Sequence, residues 1–164
     1  MKKLVEELPR AAALYFDDRN YDSDSGIDDI CRWVEEGADV DRFNLDMLAE
    51  DIERLIEGNP DYIILDYPFG YRHRAISKYI DYSIFIDTPL DIALARRIIR
   101  DYGGKTVRDV CEDMEHYLSR GRSAYLYGLD RTKLEADFVV DGSRSPRDIV
   151  SLITEHLIHM NCVQ

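Results

Sequence analysis

Four short apolar runs punctuate the chain, and each ends in an acidic residue: AAALYF at 11–16 before Asp17-Asp18, DYIILD at 61–66, YSIFID at 82–87 and ADFVVD at 136–141. Near-continuous apolar, β-branched and aromatic composition suits strands buried on both faces, as in a parallel sheet. Helical periodicity fills the intervals. In NLDMLAEDIERLIEG, residues Leu45, Leu48, Ile52, Leu55 and Ile56 form one stripe closed by Gly58. IDDICRWVEEGA (27–38) predicts a shorter helix carrying Trp33. Thr88 caps a further helix with Pro89 in its first turn, running through Ala93, Leu94 and Ile98 until Gly103-Gly104 breaks it. Thr106 opens a long helical stretch to about Tyr127, and Ser145 opens the last helix, whose inner face is Ile149, Leu152, Ile153 and Leu157. Strands alternating with helices predict a single α/β domain over 1–164, three-layered (α/β/α), with a mainly parallel sheet and right-handed crossovers.

In such a sheet ligands sit outside the carboxyl ends of the strands. Asp17, Asp18, Asp66, Asp87 and Asp141 all fall there. Asp87 and Asp141 read as turn or cap residues. Asp17, Asp18 and Asp66 would repel one another on one rim unless they share a proton or a metal, and magnesium suits such a rim. The net charge of −12 argues against a nucleic-acid polymer or an anionic membrane as partner. Cysteines at 31, 111 and 162 have no metal-ligand spacing and read as reduced thiols. MKKLVEELPR lacks the apolar core of a signal segment, and no run approaches the roughly 18 apolar residues of a membrane span, so the expected location is the cytoplasm.

Within this acidic chain ARRIIRD (95–101) gathers three arginines in two helical turns. Arg96 and Arg100 are four apart, Arg97 and Arg100 three apart, so two of them can face one point, and Arg97 can also pair with Asp101. A solvated salt-bridged face accounts for this spacing; so does a cluster holding phosphate oxygens, for which the guanidinium fork is suited. DYPFGYRHR (66–74) follows the second run as an irregular loop. Its Tyr67, Phe69, Tyr71, Arg72 and His73 offer aromatic surface and cations to a planar ring such as a nucleobase, or else cover the core. In YLSRGRSAY, Arg120 and Arg122 flank Gly121 inside a helical stretch.

In this order, strand–DYPFG, IFIDTPLDIALARRIIRD, YLSRGRSAY and ADFVVDGSRSPRDIVSLI, the chain resembles the P-loop kinases of the uridine kinase and phosphoribulokinase group, from about Leu4 to His156. The resemblance implies a P-loop NTPase-like nucleoside kinase fold and ATP- and Mg2+-dependent phosphoryl transfer to a hydroxyl of a small molecule, a nucleoside or sugar. It places the proton-accepting aspartate at Asp18, in Asp18-Arg19-Asn20-Tyr21, or at Asp17. By the same likeness Asp66 helps order magnesium, and Arg96, Arg97 and Arg100 are lid arginines acting on the transferred phosphoryl group, with Arg96 and Arg100 also on the nucleotide. Tyr21, Arg122 and Tyr125 belong to the substrate side, with the aromatic loop, and the lid covers about 96–123.

The chain departs from that pattern at one place. None of the nine glycines stands in G-x-x-x-x-G-K-[ST], whose backbone N–H groups and lysine cradle phosphates. Gly104-Lys105-Thr106 follows a helix, and Ile99 occupies the position of the first glycine. With a family strand order of 2-3-1-4-5, the lacking strand is the central one. The remaining four are then expected as two pairs separated by one strand position, roughly 9–10 Å. Closure of the two pairs, a strand from a partner, or truncation of a longer kinase would resolve the gap, truncation being the favoured expectation. A chain lacking the loop is expected to be inactive. Two further readings stand beside this one: a non-catalytic remnant that binds a nucleotide or a protein, and a receiver-like module using Asp17-Asp18, Asp66 and Thr88.

Overall fold

The computed structural model describes residues 1–18, 21, 27 and 29–161. Arg19, Asn20, Asp28 and Cys162 lie outside the described residues, as does the side chain of Asp18. In chain order the elements are α1 (Lys2–Glu7), β1 (Ala11–Tyr15), α2 (Ile30–Glu35), α3 (Asp46–Glu57), β2 (Tyr62–Asp66), α4 (Arg74–Ser77), β3 (Ile84–Asp87), α5 (Leu90–Asp101), α6 (Val107–His116), α7 (Arg122–Asp130), α8 (Thr132–Glu135), β4 (Phe138–Asp141) and α9 (Pro146–Asn161). A 3-10 turn, Phe16–Asp18, follows β1, and a π-helical turn, Tyr117–Gly121, joins α6 to α7.

Each apolar run forms a strand, and the strands pair in parallel as two separate ladders. β1 pairs with β2, Ala11 opposite Tyr62 through Tyr15 opposite Asp66. β3 pairs with β4, Ile84 opposite Phe138 through Asp87 opposite Asp141. No ladder joins the two pairs among the described residues. Side-chain packing joins them instead. Leu4 of α1, Leu8 just after it, and Ile149, Val150 and Ile153 of α9 form one buried cluster with Val140. Ala11, Tyr62, Ile64, Ile84 and Phe138, from all four strands, pack against it. Alternate residues of β1 and β2, Leu14 and Leu65, face the opposite way into a second cluster built on Phe16, Trp33, Phe43, Leu45, Leu48 and Ile52. β3 and β4 are less well covered, with Ile86 48% and Val139 42% exposed.

Helix boundaries follow local chemistry, with some departures from expectation. Thr106 and Asp109 form a reciprocal capping box on α6. Ser145 Oγ accepts from the Asp148 amide and donates to its carboxylate at the start of α9. α5, by contrast, is capped by Pro89 without a side-chain bond. Thr88 does not cap it. That residue packs against Gly142, where an added Cβ would lie 2.0 Å from Thr88 Oγ1. The stretch expected as one helix from Thr106 to Tyr127 is broken at Tyr117–Gly121, where the backbone widens to π geometry. The helix expected over 27–38 ends at Glu35, because Gly37 turns to φ +101° and Ala38 returns its N–H to Trp33 O. Ile56, expected on the inner stripe of α3, is half-exposed near the carboxyl end of that helix.

Candidate active site

The parallel pairs carry their acidic residues to the expected edge. Asp66 is exposed beside Tyr15 at the carboxyl end of β2, and Asp17 is exposed in the turn that follows β1. Asp87 and Asp141 are spent locally. Lys133 Nζ donates to Asp87 Oδ2 at 2.6 Å. Asp141 accepts from the Ser143 hydroxyl and amide and pairs with Arg144, contacts that hold its carboxyl below the usual carboxylate range. Among the described residues no group of three His, Cys, Asp or Glu side chains is placed to hold a metal.

The three arginines of α5 diverge. Arg96 turns toward the loop after β4, donating to the backbone carbonyls of Gly142 (2.5 Å), Ser143 (3.1 Å) and Arg144 (3.0 Å). Arg97 pairs with Asp113 of α6 at 2.9 Å, with Asp101 more distant. Burial pushes the Arg97 pKa down, but Tyr125, Asp113 and Tyr102 outweigh it and the guanidinium is held charged. Arg100 pairs with its neighbour Asp101, which raises its pKa; Tyr125 and the Asp17 carboxylate act in the same direction. Arg97, Arg100 and Tyr125 thus share one electrostatic neighbourhood, and Asp17 borders it. Tyr125 is half-exposed and tilts against Tyr117, their ring centroids 5.7 Å apart. Arg122, at the start of α7, is exposed and makes no ion pair among the described residues. The π turn before it is gripped by α2: Cys31 Sγ donates toward Arg120 O at 3.1 Å and lies 3.2 Å from Ser123 Oγ.

The aromatic loop does not present one common surface. Phe69 is buried, 4.7 Å from Phe43 and 5.8 Å from Phe16 by ring centroids. Tyr67 stands edge-on to both Phe16 and Phe69. Its hydroxyl is buried without a hydrogen-bond partner among the described residues, and burial, aided by Asp41, raises its pKa. Tyr71 points away, donating to Asp137 Oδ2 at 2.5 Å. Arg72 pairs with Glu135 and lies over the Tyr127 ring. His73 is buried: Nδ1 accepts from Ala75 N as the cap of α4, which leaves Nε2–H to donate to Phe43 O at 2.9 Å. Tyr21 is also buried, its hydroxyl donating to Asp51 Oδ2 at 2.5 Å. A cleft of about 360 Å³ opens at the start of α3, lined in part by Asp41, Asn44, Asp46 and Arg74.

Three contacts were not anticipated: Lys133 with Asp87, Asp137 with Tyr71, and Arg74 with Asp41. Lys133, within α8, and Asp137, just after it, tie this segment to β3 and to the loop after β2. The only sequence signal was a cation and an acid, TKLEAD, just before an apolar run. Arg74 binds Asp41 through both its amide and its side chain, depressing the Asp41 pKa, and only the folded backbone brings those residues together.

The profile of the family described as "Phosphoribulokinase / Uridine kinase family" matches residues 30–148. A uridine kinase of Aeromonas salmonicida is 28% identical over 140 residues, covering 70% of this chain and 64% of that protein. A uridine kinase of Tolumonas auensis is 31% identical over 100 residues, 60% of this chain and 45% of its own length. One from Shewanella halifaxensis is 35% identical over 89 residues, 51% and 41% respectively. The chain therefore spans less than two thirds of each of these relatives.

Proposed function

The chain belongs to the phosphoribulokinase/uridine kinase family, and from that premise we propose that it serves phosphoryl transfer from a nucleoside triphosphate to a hydroxyl of a small molecule, a nucleoside being the favoured acceptor. The observation that carries this reading is the placement of Arg97 and Arg100 on α5, the helix that follows β3, each held by a carboxylate, Asp113 at 2.9 Å and Asp101 at 2.5 Å. Guanidinium groups held charged beside an exposed carboxylate suit a hydroxyl that must lose a proton while negative charge builds on the phosphoryl oxygens. Asp18 or Asp17 takes that proton. Arg97 and Arg100 face the transferred group, and Arg122 and Tyr125 contact the acceptor. Tyr67 lies at the edge of the acceptor's ring. Arg96 acts through the loop it holds.

Magnesium, when bound, would neutralise negative charge on the phosphoryl group being transferred. The donor set fits a cation carried largely by the phosphates, with Asp66 and Asp17 adding one or two carboxylates, since no three-ligand cluster exists among the described residues. The fit to the triphosphate itself is poor. Arginines approach it from one side, but no glycine of the chain stands in a phosphate-cradling loop. This stretch of chain on its own is therefore expected to turn over little, because positioning and electrostatics are nearly all that such catalysis has. A coupled ADP-release assay with nucleosides, run on this chain with and without a strand-and-Walker-loop segment fused ahead of it, tests the reading. Activity in the fused form alone supports it, and equal activity in both sinks the argument about the loop.

The lack of a phosphate loop also favours a second reading, binding without turnover. Calorimetric titration with nucleosides, UTP and CTP separates the two, since binding that persists without activity in the fused form selects the second. A receiver-like module has less support, because its sheet is continuous whereas the described strands form two separate pairs.

A further inference from the structure

We propose that residues 132–137 form a strut that positions the loop after β2 against β3 and the arginine helix α5, with Lys133 as the positioning residue at its β3 end. The two strand pairs share no ladder among the described residues. The loop after β2 therefore belongs to one pair and α5, which follows β3, to the other. Backbone pairing does not fix their relative placement, and side chains must.

Residues 132–137 reach both sides. Toward the loop, Tyr71 donates to Asp137 Oδ2 at 2.5 Å, Arg72 pairs with Glu135 at 3.7 Å and Thr132 Oγ1 donates to Pro68 O at 3.4 Å. Gly70 lets the loop come this close: its φ is +53°, and a Cβ there would lie 3.3 Å from Thr132 Cγ2. Toward β3, Asp137 accepts from Ser83 N at 2.8 Å and gives its own N–H to Ser83 O at 2.9 Å. At the other end of that strand Lys133 Nζ donates to Asp87 Oδ2 at 2.6 Å, just ahead of α5. Anchors at both ends of β3 define the orientation of the segment, where a single anchor would leave it free to pivot. The Lys133–Asp87 pair is 36% and 35% exposed, and so is partly shielded from solvent and salt. The inference rests on the proposed function only for what the two sides hold, the phosphoryl-facing arginines on α5 and the acceptor's ring beside Tyr67. A loop displaced from α5 changes the separation of acceptor and phosphoryl group, on which transfer depends steeply.

Amide hydrogen exchange of the whole chain without ligand, followed by NMR, tests the strut. The reporter is the Arg72 amide, bonded to Phe69 O within the loop, and the amides of α3 are the reference for the fold as a whole. Lys133→Met removes the ammonium and keeps most of the stem. Although made at the β3 end, it is expected to speed Arg72 exchange about fivefold relative to α3. Asp87→Asn, which weakens the same pair from its other side, should act in the same direction, and Lys133→Arg, which keeps the cation, should return the rate to within about twofold of the parent. An Arg72 amide indifferent to both Lys133→Met and Asp87→Asn, or equal acceleration of the Arg72 and α3 amides, would overturn the proposal. Calorimetric titration of parent and Lys133→Met with nucleosides reads the function separately. Weaker binding by the variant supports both readings, whereas a parent that binds no nucleoside counts against the function and the exchange pattern alone decides the strut.

Discussion

Arg97 of α5 and Asp113 of α6 meet at 2.9 Å, an ion pair that fastens the two helices on either side of Gly103-Gly104. Both side chains are only partly exposed, 31% and 23%. The pair lies between the surface and buried extremes, so removing either partner is expected to cost about 1 kcal/mol. In a double-mutant cycle with Arg97→Ala and Asp113→Ala, urea unfolding should show a coupling of roughly 0.5–1 kcal/mol. A coupling near zero would mean that α5 and α6 are held together by other contacts.

Arg96 and Arg100 occupy one face by spacing but differ in attachment. Arg96 donates to three successive backbone carbonyls, a charged donor organising the loop after β4. Arg100 is exposed and, among the described residues, pairs with its neighbour Asp101, with Tyr125 and Asp17 within electrostatic reach. Arg96→Ala is therefore expected to lower unfolding stability by about 1–3 kcal/mol. Arg100→Ala should stay within about 0.5 kcal/mol while weakening the binding of a phosphate-bearing ligand. Parallel thermal denaturation and titration calorimetry on the two variants read both effects.

The Tyr71–Asp137 contact links stability to pH at both ends of the scale. The Asp137 carboxyl accepts from the Tyr71 hydroxyl and from Ser83 N, and these bonds hold its pKa below the ordinary value. Its contribution is present above the unfolded pKa of about 4 and is lost as pH falls through the folded value. Tyr71 is shifted the other way, pushed up to about 12 by burial and by Asp137. That contribution is complete below the unfolded pKa of about 10 and is lost as pH rises from there toward the folded value. Tyr71→Phe should flatten both limbs of a stability profile measured by urea unfolding. An unchanged alkaline limb would show that Tyr71 titrates as it does in the unfolded chain.

The strands were legible as short apolar runs ending in acidic residues, and the starts of α6 and α9 because Thr106 and Ser145 carry capping chemistry within three residues of their partners. The split between β1–β2 and β3–β4 also followed from the resemblance. Arginine direction did not. Arg96 is bound by backbone carbonyls of residues 142–144, and a carbonyl 46 residues away leaves no mark on local spacing. The loop DYPFGYRHR left two readings open for a different reason. Aromatic rings serve a nucleobase and a core equally well, and which role Phe69 takes depends on Phe16 and Phe43 arriving from other elements.

Tyr21 is the sharpest test of that ambiguity, because its hydroxyl, expected on the substrate side, donates to the buried carboxylate of Asp51. Arg54 reaches the same carboxylate from the exposed side at 2.7 Å. Tyr21→Phe keeps the ring in the cluster with Phe16 but removes the hydroxyl's hydrogen bond to Asp51 Oδ2. A cost of about 1–3 kcal/mol is expected from the loss of that charge-assisted bond, and Asp51→Asn, which can still accept from the tyrosine, should lose less. If Tyr21 instead belongs to the acceptor site, Tyr21→Phe would leave the melting temperature unchanged and weaken nucleoside affinity. Measuring both quantities on one preparation separates a core hydroxyl from a substrate contact.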